Sequence, residues 1–330
     1  MGIRLAVLVT FIRIMIFFGH LFAKNDGTLV DDSNFSAKIS RDSWGVPHIY
    51  GKRDADVSFG LAYAHSQDDH ETLVDVIYAL RGKLSTIHGR DAAVNDYYVH
   101  LMEFSDIIQG RYENEVPEDV KILCEGYAAG INKFFVDNPN KMKKSFQPVT
   151  AEEIILGFSH RMPLMYGLDG VLKKLSNKKA PEFIGEKGDS KGGMFDMLAS
   201  NFMAISPQRS SDRYTRLWIN THQPWDGPVS WYEAYFKSEE GWDFYGALFP
   251  GSPVPLIGHN TNLGWSHTVN KPDLIDVYKL TLNKQNKNQY WFEGYWKDFD
   301  SKEVTIKVKI FGSFTWPFKR TVKSSIHGPV

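Results

Sequence analysis

Residues 199–206 read Ala-Ser-Asn-Phe-Met-Ala-Ile-Ser, and they mark the point where the chain changes character. Just upstream, residues 173–193 (KKLSNKKAPEFIGEKGDSKGG) are rich in Lys, Gly and Ser and have little apolar periodicity. That composition describes an exposed, mobile connector. Downstream come short runs of β-branched and aromatic residues divided by Gly, Pro and Asn turns. They are RLWINTHQ (216–223), SWYEAYFKS (230–238), WDFYGALFP (242–250), VPLIGHN (254–260), LGWSHTVN (263–270) and EVTIKVKIFGSFTWPFKRTV (303–322). A β-rich region therefore opens at Ser200, directly after the connector. The connector is either an inter-domain linker or a spacer peptide lost on maturation.

Before the connector the pattern is mostly helical. KISRDSWGVPHIYG (38–51) predicts a strand, a turn at Gly45-Val46-Pro47 and a second strand. Residues 55–89 then carry apolar side chains at helical spacing for several turns. A second helix is expected over 117–139, with Pro117 at its start, Asp119 in its first turn and Asn138-Pro139 as its stop. Thr150 stands three residues before Glu153, the signature of a capping box opening a third.

The 330 residues hold 42% hydrophobic and 23% charged side chains, ordinary for a globular protein with a real core. A net charge of −1 gives no bulk field for nucleic acid or an anionic membrane surface. Cys124 is the single cysteine, which rules out an internal disulfide and any Cys-based zinc site, and its helical apolar setting predicts a buried thiol. Residues 1–23 have a basic start, an apolar run and small Ala23 at the end. We read them first as an export signal, placing the mature protein in a periplasm or outside the cell. A membrane anchor is the second reading and a mis-called start the third; Arg13 leaves too short a clean run for a comfortable membrane span.

No Gly-x-Ser-x-Gly elbow, Walker loop or dinucleotide fingerprint is present. His65 and His70 are five apart, which splays them across a helix; a solvated helix face is expected rather than a metal pair. Ser200 alone would be an ordinary strand-edge serine. At a new chain terminus, however, a serine brings its own base, because an α-amino group titrates at roughly 7.7–8.0 and can take the hydroxyl proton near neutrality.

The motifs tip that balance. RDSWGVPHIYGKRDADVSFGLAYAHSQD (41–68) and LRGKLSTIHG (80–89) resemble the opening of the α chain of penicillin acylases and acyl-homoserine lactone acylases. EGYAAGIN (125–132) is similar to a later α-chain helix, SNFMAIS (200–206) to the start of the β chain, and residues 249–278 to its central block. These stretches follow the family order across residues 40–330.

The resemblance implies an α+β fold: the αββα four-layer sandwich of N-terminal-nucleophile hydrolases, built mainly after Ser200 and wrapped by a mostly helical α-chain region. Its expected parts are a signal (1–23), the α-chain region (24–172), the spacer (173–199) and the N-terminal part of the β chain (200–330), the rest of the family's β chain being absent. It also implies cleavage between Ala199 and Ser200, with Ser200 as nucleophile, His222 assisting it through hydrogen bonds, and the Val269 backbone N–H as half of an oxyanion hole. Asp273, Asp276 and the Ile275 carbonyl match the family's structural Ca²⁺ ligands, and hard oxygen donors on one loop suit that ion. The expected reaction is hydrolysis of a linear amide of an N-acylated small molecule. Acyl-homoserine lactones are the first substrate expectation; a β-lactam acylase, or an inert fragment acting only as a binding module, are the alternatives. The expected partners are the acyl-amide substrate and the α and β chains of one precursor, with neither nucleic acid nor a stable membrane span. One departure concerns the cleavage itself: Ala199 stands where the family usually has glycine, which eases the strained turn that self-cleavage needs.

Overall fold

The computed structural model describes residues 27–143, 145–168, 170–171, 199–268 and 274–330. The expected signal and nearly all of the expected spacer lie outside the described residues, as do Val269 and Asp273.

Three strands open the chain: β1 (Thr28–Asp31), β2 (Ser36–Arg41) and β3 (Pro47–Gly51). The expected turn between β2 and β3 is there, with Gly45 at φ 86°, a conformation that a side chain would resist. Helices follow: α1 (Asp54–Leu80), the single turn α2 (Ser85–His88), α3 (Ala93–Met102), α4 (Phe104–Glu115), α5 (Glu118–Asp137) and α6 (Ala151–Met165). The helix boundaries carry the signals expected of them. Pro117 is the N-cap of α5 and Asn138 its C-cap, and the Thr150 N–H donates to Glu153 Oε2 at 3.1 Å at the head of α6. Within α1 the backbone leaves helical geometry at Asp69 (φ −149°, ψ 60°), whose carboxylate accepts from the Thr72 N–H at 3.2 Å and so caps the second half.

After Ser200 the expected strands appear: β4 (Ser200–Ile205), β5 (Arg216–Thr221), β6 (Tyr232–Ser238), β7 (Asp243–Leu248), β8 (Ile257–Asn260) and β9 (Gly264–Trp265). Further on, β10 (Gln289–Phe292) pairs with β11 (Tyr295–Asp298), and β12 (Asp300–Phe311) and β13 (Phe314–Ser325) form a long hairpin to which β14 (Gly328–Pro329) adds. The fold is α+β.

The main sheet has seven strands in the order β1-β2-β3-β6-β7-β8-β9. Its one parallel pair, β3 with β6, joins the region before the connector to the region after it, His48 lying opposite Tyr235. The first region thus does more than wrap the second, since it supplies three strands of this sheet. α1 lies flat on β2, β3 and β6. The close approach runs through Gly60, where a Cβ would come within 2.6 Å of Ala37 Cβ and 2.7 Å of Ile49 Cγ2. α5 then packs on α1 through Gly126 and Gly130, where a Cβ would meet the carbonyl oxygens of Ala55 and Phe59 at 2.3 and 2.2 Å. Phe59, Leu61, Tyr127, Ile131 and Phe236 are fully buried in the resulting core. Cys124 is buried there as expected, and burial pushes its thiol up to about 12, leaving it an inert core residue.

Candidate active site

β4 and β5 form an antiparallel hairpin in register Ser200↔Thr221, Asn201↔Asn220 and Met203↔Trp218. The ladder runs one rung past the strand ends, where the His222 N–H donates to the Ala199 carbonyl at 3.0 Å. Ser200 Oγ donates to the same oxygen at 2.6 Å. The expected cleavage bond is therefore held in register, and the Ser200 hydroxyl touches the carbonyl that self-cleavage would attack. Two donors occupy that one oxygen.

The imidazole of His222 is placed differently. Its Nε2 lies 3.2 Å from Asn201 Nδ2 and 3.0 Å from Asn220 Nδ2. Side chains alternate across a strand, so Asn201 and Ser200 face opposite sides of the hairpin. The ring consequently shares the Asn201–Asn220 face, while its backbone reaches the Ala199–Ser200 bond. Sequence reading missed Asn220. The available signal was spacing, because residue 220 is two positions before 222 on one strand and therefore on the same face.

No residue of the hairpin is fully buried. On the imidazole's side, a hollow of about 520 Å³ is lined by Met203, Ile205, Arg216, Leu217 and Trp218. The hairpin meets the main sheet at its β9 edge, where Leu217 Cδ2 would lie 2.6 Å from a Cβ on Gly264. A Cβ at 264 would force the Leu217 side chain to shift.

A second polar group lies between α1 and β6. His65 is not on a solvated face, as its spacing from His70 suggested. It is 2% exposed and stacks on Tyr232 with ring centroids 3.9 Å apart, because residues 55–66 of α1 are buried on every side. Burial drives its pKa down to about 3, so it is neutral in the fold. Tyr232 donates to Asp68 Oδ2 at 2.6 Å, and Asp68 also pairs with Arg41 at 2.9 Å. His70 is half-buried against Phe134, with centroids 5.7 Å apart. Nearby, Arg161 is buried and donates to the Pro250 carbonyl, anchoring the Phe249-Pro250-Gly251-Ser252 turn, whose Gly251 N–H donates to Tyr127 Oη at 3.1 Å.

Of the expected calcium ligands, Asp276 is exposed and Ile275 half-buried in the irregular segment before β10. Among the described residues no group of three or more His, Cys, Asp or Glu side chains is placed to hold a metal. Nor is any described helix long and apolar enough to cross a membrane.

Compared with known proteins, residues 36–330 match the family model described as penicillin amidase. The chain belongs to the penicillin amidase family. Among curated relatives, an acyl-homoserine lactone acylase PvdQ of Pseudomonas fluorescens (strain Pf0-1) is 26% identical over 317 residues, covering 89% of this chain and 41% of that protein. The aculeacin-A acylase of Actinoplanes utahensis is 24% identical over 328 residues, covering 91% of this chain and 41% of that one. A solved thermostable penicillin G acylase from Alcaligenes faecalis overlaps 44% of this chain and 85% of its own, at 19% identity and a TM-score of 0.34, too weak a likeness to argue from. This penicillin amidase family chain spans about two fifths of the length of the curated relatives it matches.

Proposed function

We propose that this chain is the leading part of a self-processing amidase precursor, cut between Ala199 and Ser200 so that Ser200 becomes an N-terminal nucleophile. The observation that carries the reading is the contact of the Ser200 hydroxyl with the Ala199 carbonyl at the head of an ordered strand. Once freed, the Ser200 amine would take the hydroxyl proton, directly or through one water, and Oγ would attack the amide carbonyl of a substrate. The Val269 N–H, outside the described residues, would hold half of the oxyanion. An acyl-enzyme forms, the amine product leaves, and water releases the acid. The resemblance would have His222 assist through hydrogen bonds to the Ser200 hydroxyl or freed amine. In this structure its backbone N–H is beside the scissile bond, while its ring lies on the opposite face of the hairpin from the Ser200 side chain.

We favour N-acyl-homoserine lactones or related fatty-acyl amides as substrates, which the names of the matched Pseudomonas relatives support. In the finer fold reading the seven-stranded sheet is one of two central sheets of an αββα sandwich. The chain is proposed to be exported as a precursor whose α and β parts stay together. A structural Ca²⁺ held by Asp273, Asp276 and the Ile275 carbonyl belongs to the same reading, since the donor chemistry fits a hard cation. No catalytic step runs through it. If it binds, calcium raises the melting temperature by mass action and the Asp273→Asn/Asp276→Asn pair abolishes the shift.

Intact mass and N-terminal sequencing of the purified chain test the reading. A fragment beginning Ser-Asn-Phe-Met is expected from the native chain, and Ser200→Ala is expected to remain uncut. A different N-terminus, or cleavage of Ser200→Ala at this bond, removes Ser200 from the mechanism.

A further inference from the structure

We propose that the backbone amide of His222 is the oxyanion donor of the self-cleavage, and that its imidazole, held by Asn201 and Asn220, is not the agent of that step. The inference rests on the self-processing reading above and assigns a catalytic group within it.

Two donors meet on the Ala199 oxygen, Ser200 Oγ–H at 2.6 Å and His222 N–H at 3.0 Å. In the reaction, the bond from Ser200 Oγ to the Ala199 carbonyl carbon forms and the Ala199–Ser200 C–N bond breaks. The hydroxyl proton passes through a water to the departing Ser200 nitrogen. The products are an Ala199 ester on Oγ and a free α-amine. A second water hydrolyses the ester, leaving the Ala199 carboxylate and restoring the hydroxyl. Along this path Oγ gives up its proton and moves onto carbon, so its hydrogen bond to the carbonyl oxygen is lost just as that oxygen gains negative charge. The His222 N–H is the donor that remains.

Its position is fixed by the ladder. The bond is an ordinary antiparallel rung, continuing the register in which Ser200 faces Thr221. An ordinary rung is what the step requires: a donor already aimed at the oxygen, costing no reorganisation when charge develops. A side chain would first have to be ordered. The ring of His222 is committed elsewhere, its Nε2 within 3.2 Å of Asn201 Nδ2 and 3.0 Å of Asn220 Nδ2 on the hairpin's other face. The same arrangement addresses the alanine that stands before the nucleophile. Where glycine would ease a strained turn, here the scissile residue is paired across the hairpin and its carbonyl is polarised by two donors.

The test separates the N–H from the side chain. The 330-residue chain is made by cell-free translation and cleavage at 199–200 is timed by intact mass. Two versions are compared with the native chain: His222→Ala, and the same position filled by L-lactate through nonsense suppression. Alanine and lactate have the same side chain and differ in the backbone N–H, which becomes an ester oxygen. His222→Ala is expected to slow cleavage by no more than about tenfold, and the lactate version by a further ~10²–10³, the typical worth of one oxyanion donor. A second pair, Trp218→Ala and lactate at 218 opposite Met203, removes another rung of the same hairpin and is expected to differ little. Equal rates for alanine and lactate at 222 overturn the proposal. So does a His222→Ala defect of ~10²-fold or more, which would make the ring an agent of the step. An equal loss at 218 would mean that hairpin stability alone was being read. If the native chain is never cut at 199–200, the self-processing reading fails and the proposal with it, whereas every other adverse result leaves that reading standing.

Discussion

The region before the connector and the hairpin at Ser200 are built on opposite principles. In the first, α1 is sandwiched between the sheet and α5, with Phe59, Leu61, Tyr127 and Ile131 at 0% exposure and glycines where backbones nearly touch. In the hairpin, Phe202, Met203 and Trp218 are 45–52% exposed and no residue is fully buried. The first region owes its order to burial, at about 25 cal/mol per Å² of apolar surface. Among the described residues the hairpin is ordered by its ladder hydrogen bonds, and it touches the β9 edge through Leu217. Chemistry placed on such an element gains a fixed backbone geometry while leaving its side chains free to meet something else. The scaffold should therefore be sensitive to packing and charge, and the hairpin to the loss of specific backbone bonds.

Acid should open the first region most strongly. Burial holds His65 down to about 3 and His160 to about 4, against roughly 6.5 in an unfolded chain. Both folded values are depressed, so the unfolded chain binds more protons below pH 6.5. Stability is fully present above that pH and is lost as pH falls from 6.5 toward 4 and then 3. Each group contributes up to about 1.4 kcal/mol per pH unit in that window, roughly 2 kcal/mol from pH 6.5 to 4.5. Asp69 opposes the His65 shift and Arg161 adds to it. His65→Phe keeps a ring against Tyr232 and removes the titration. Urea midpoints measured at pH 6.5 and 4.5 should show about half the native acid loss in that variant. An unchanged loss would mean that His65 is not buried neutral.

The next effect in size is steric. Gly130→Ala would place a Cβ 2.2 Å from the Phe59 carbonyl oxygen and 2.8 Å from Ala62 Cβ. Alanine gains ~1 kcal/mol of helix propensity over glycine, but overpacking against backbone typically costs ~1–3 kcal/mol and sometimes more. Sterics should win, with a net loss of about 2 kcal/mol and a lower midpoint in urea. A variant as stable as the native chain would mean that α1 and α5 do not approach this closely.

Much of this was legible in the sequence, for identifiable physical reasons. Local signals travelled well: the turn at Gly45, the ends of α5, the capping box at Thr150 and the burial of Cys124 all rest on neighbours within a few residues. Long-range pairing did not. Nothing near His48 or Tyr235 announces that β3 and β6 lie side by side, because partner choice between strands far apart leaves no local mark. His65 was misjudged for a related reason. Its spacing from His70 was weighed alone, while the small and apolar residues all around 55–66 were the better guide to a helix buried on every side. At the candidate site, family resemblance supplied Ser200, and simple strand alternation would have supplied Asn220. The hydrogen bond between residues 222 and 199 was out of reach, since it depends on a register that only the folded hairpin defines.

The smallest effect tests the other side of the comparison. Trp218 is 50% exposed and pairs across the hairpin with Met203 on the same face. Thr at 218 keeps a β-branched residue suited to a strand and leaves the backbone rung intact. Half the surface of that indole is already in water, and its partners Met203 and Arg216 are themselves exposed, so little apolar burial is lost. Trp218→Thr should therefore shift stability by about 1 kcal/mol or less, near the range of ordinary surface changes. The measurement is the urea midpoint of the 330-residue chain, together with acrylamide quenching of the indole lost in the variant. A cost above ~3 kcal/mol, of the size seen for a buried aromatic, would mean that something covers this face in solution. The contrast between a buried scaffold and an open hairpin would then be wrong at its second term, and the hairpin's order would have to be credited to packing rather than to its ladder.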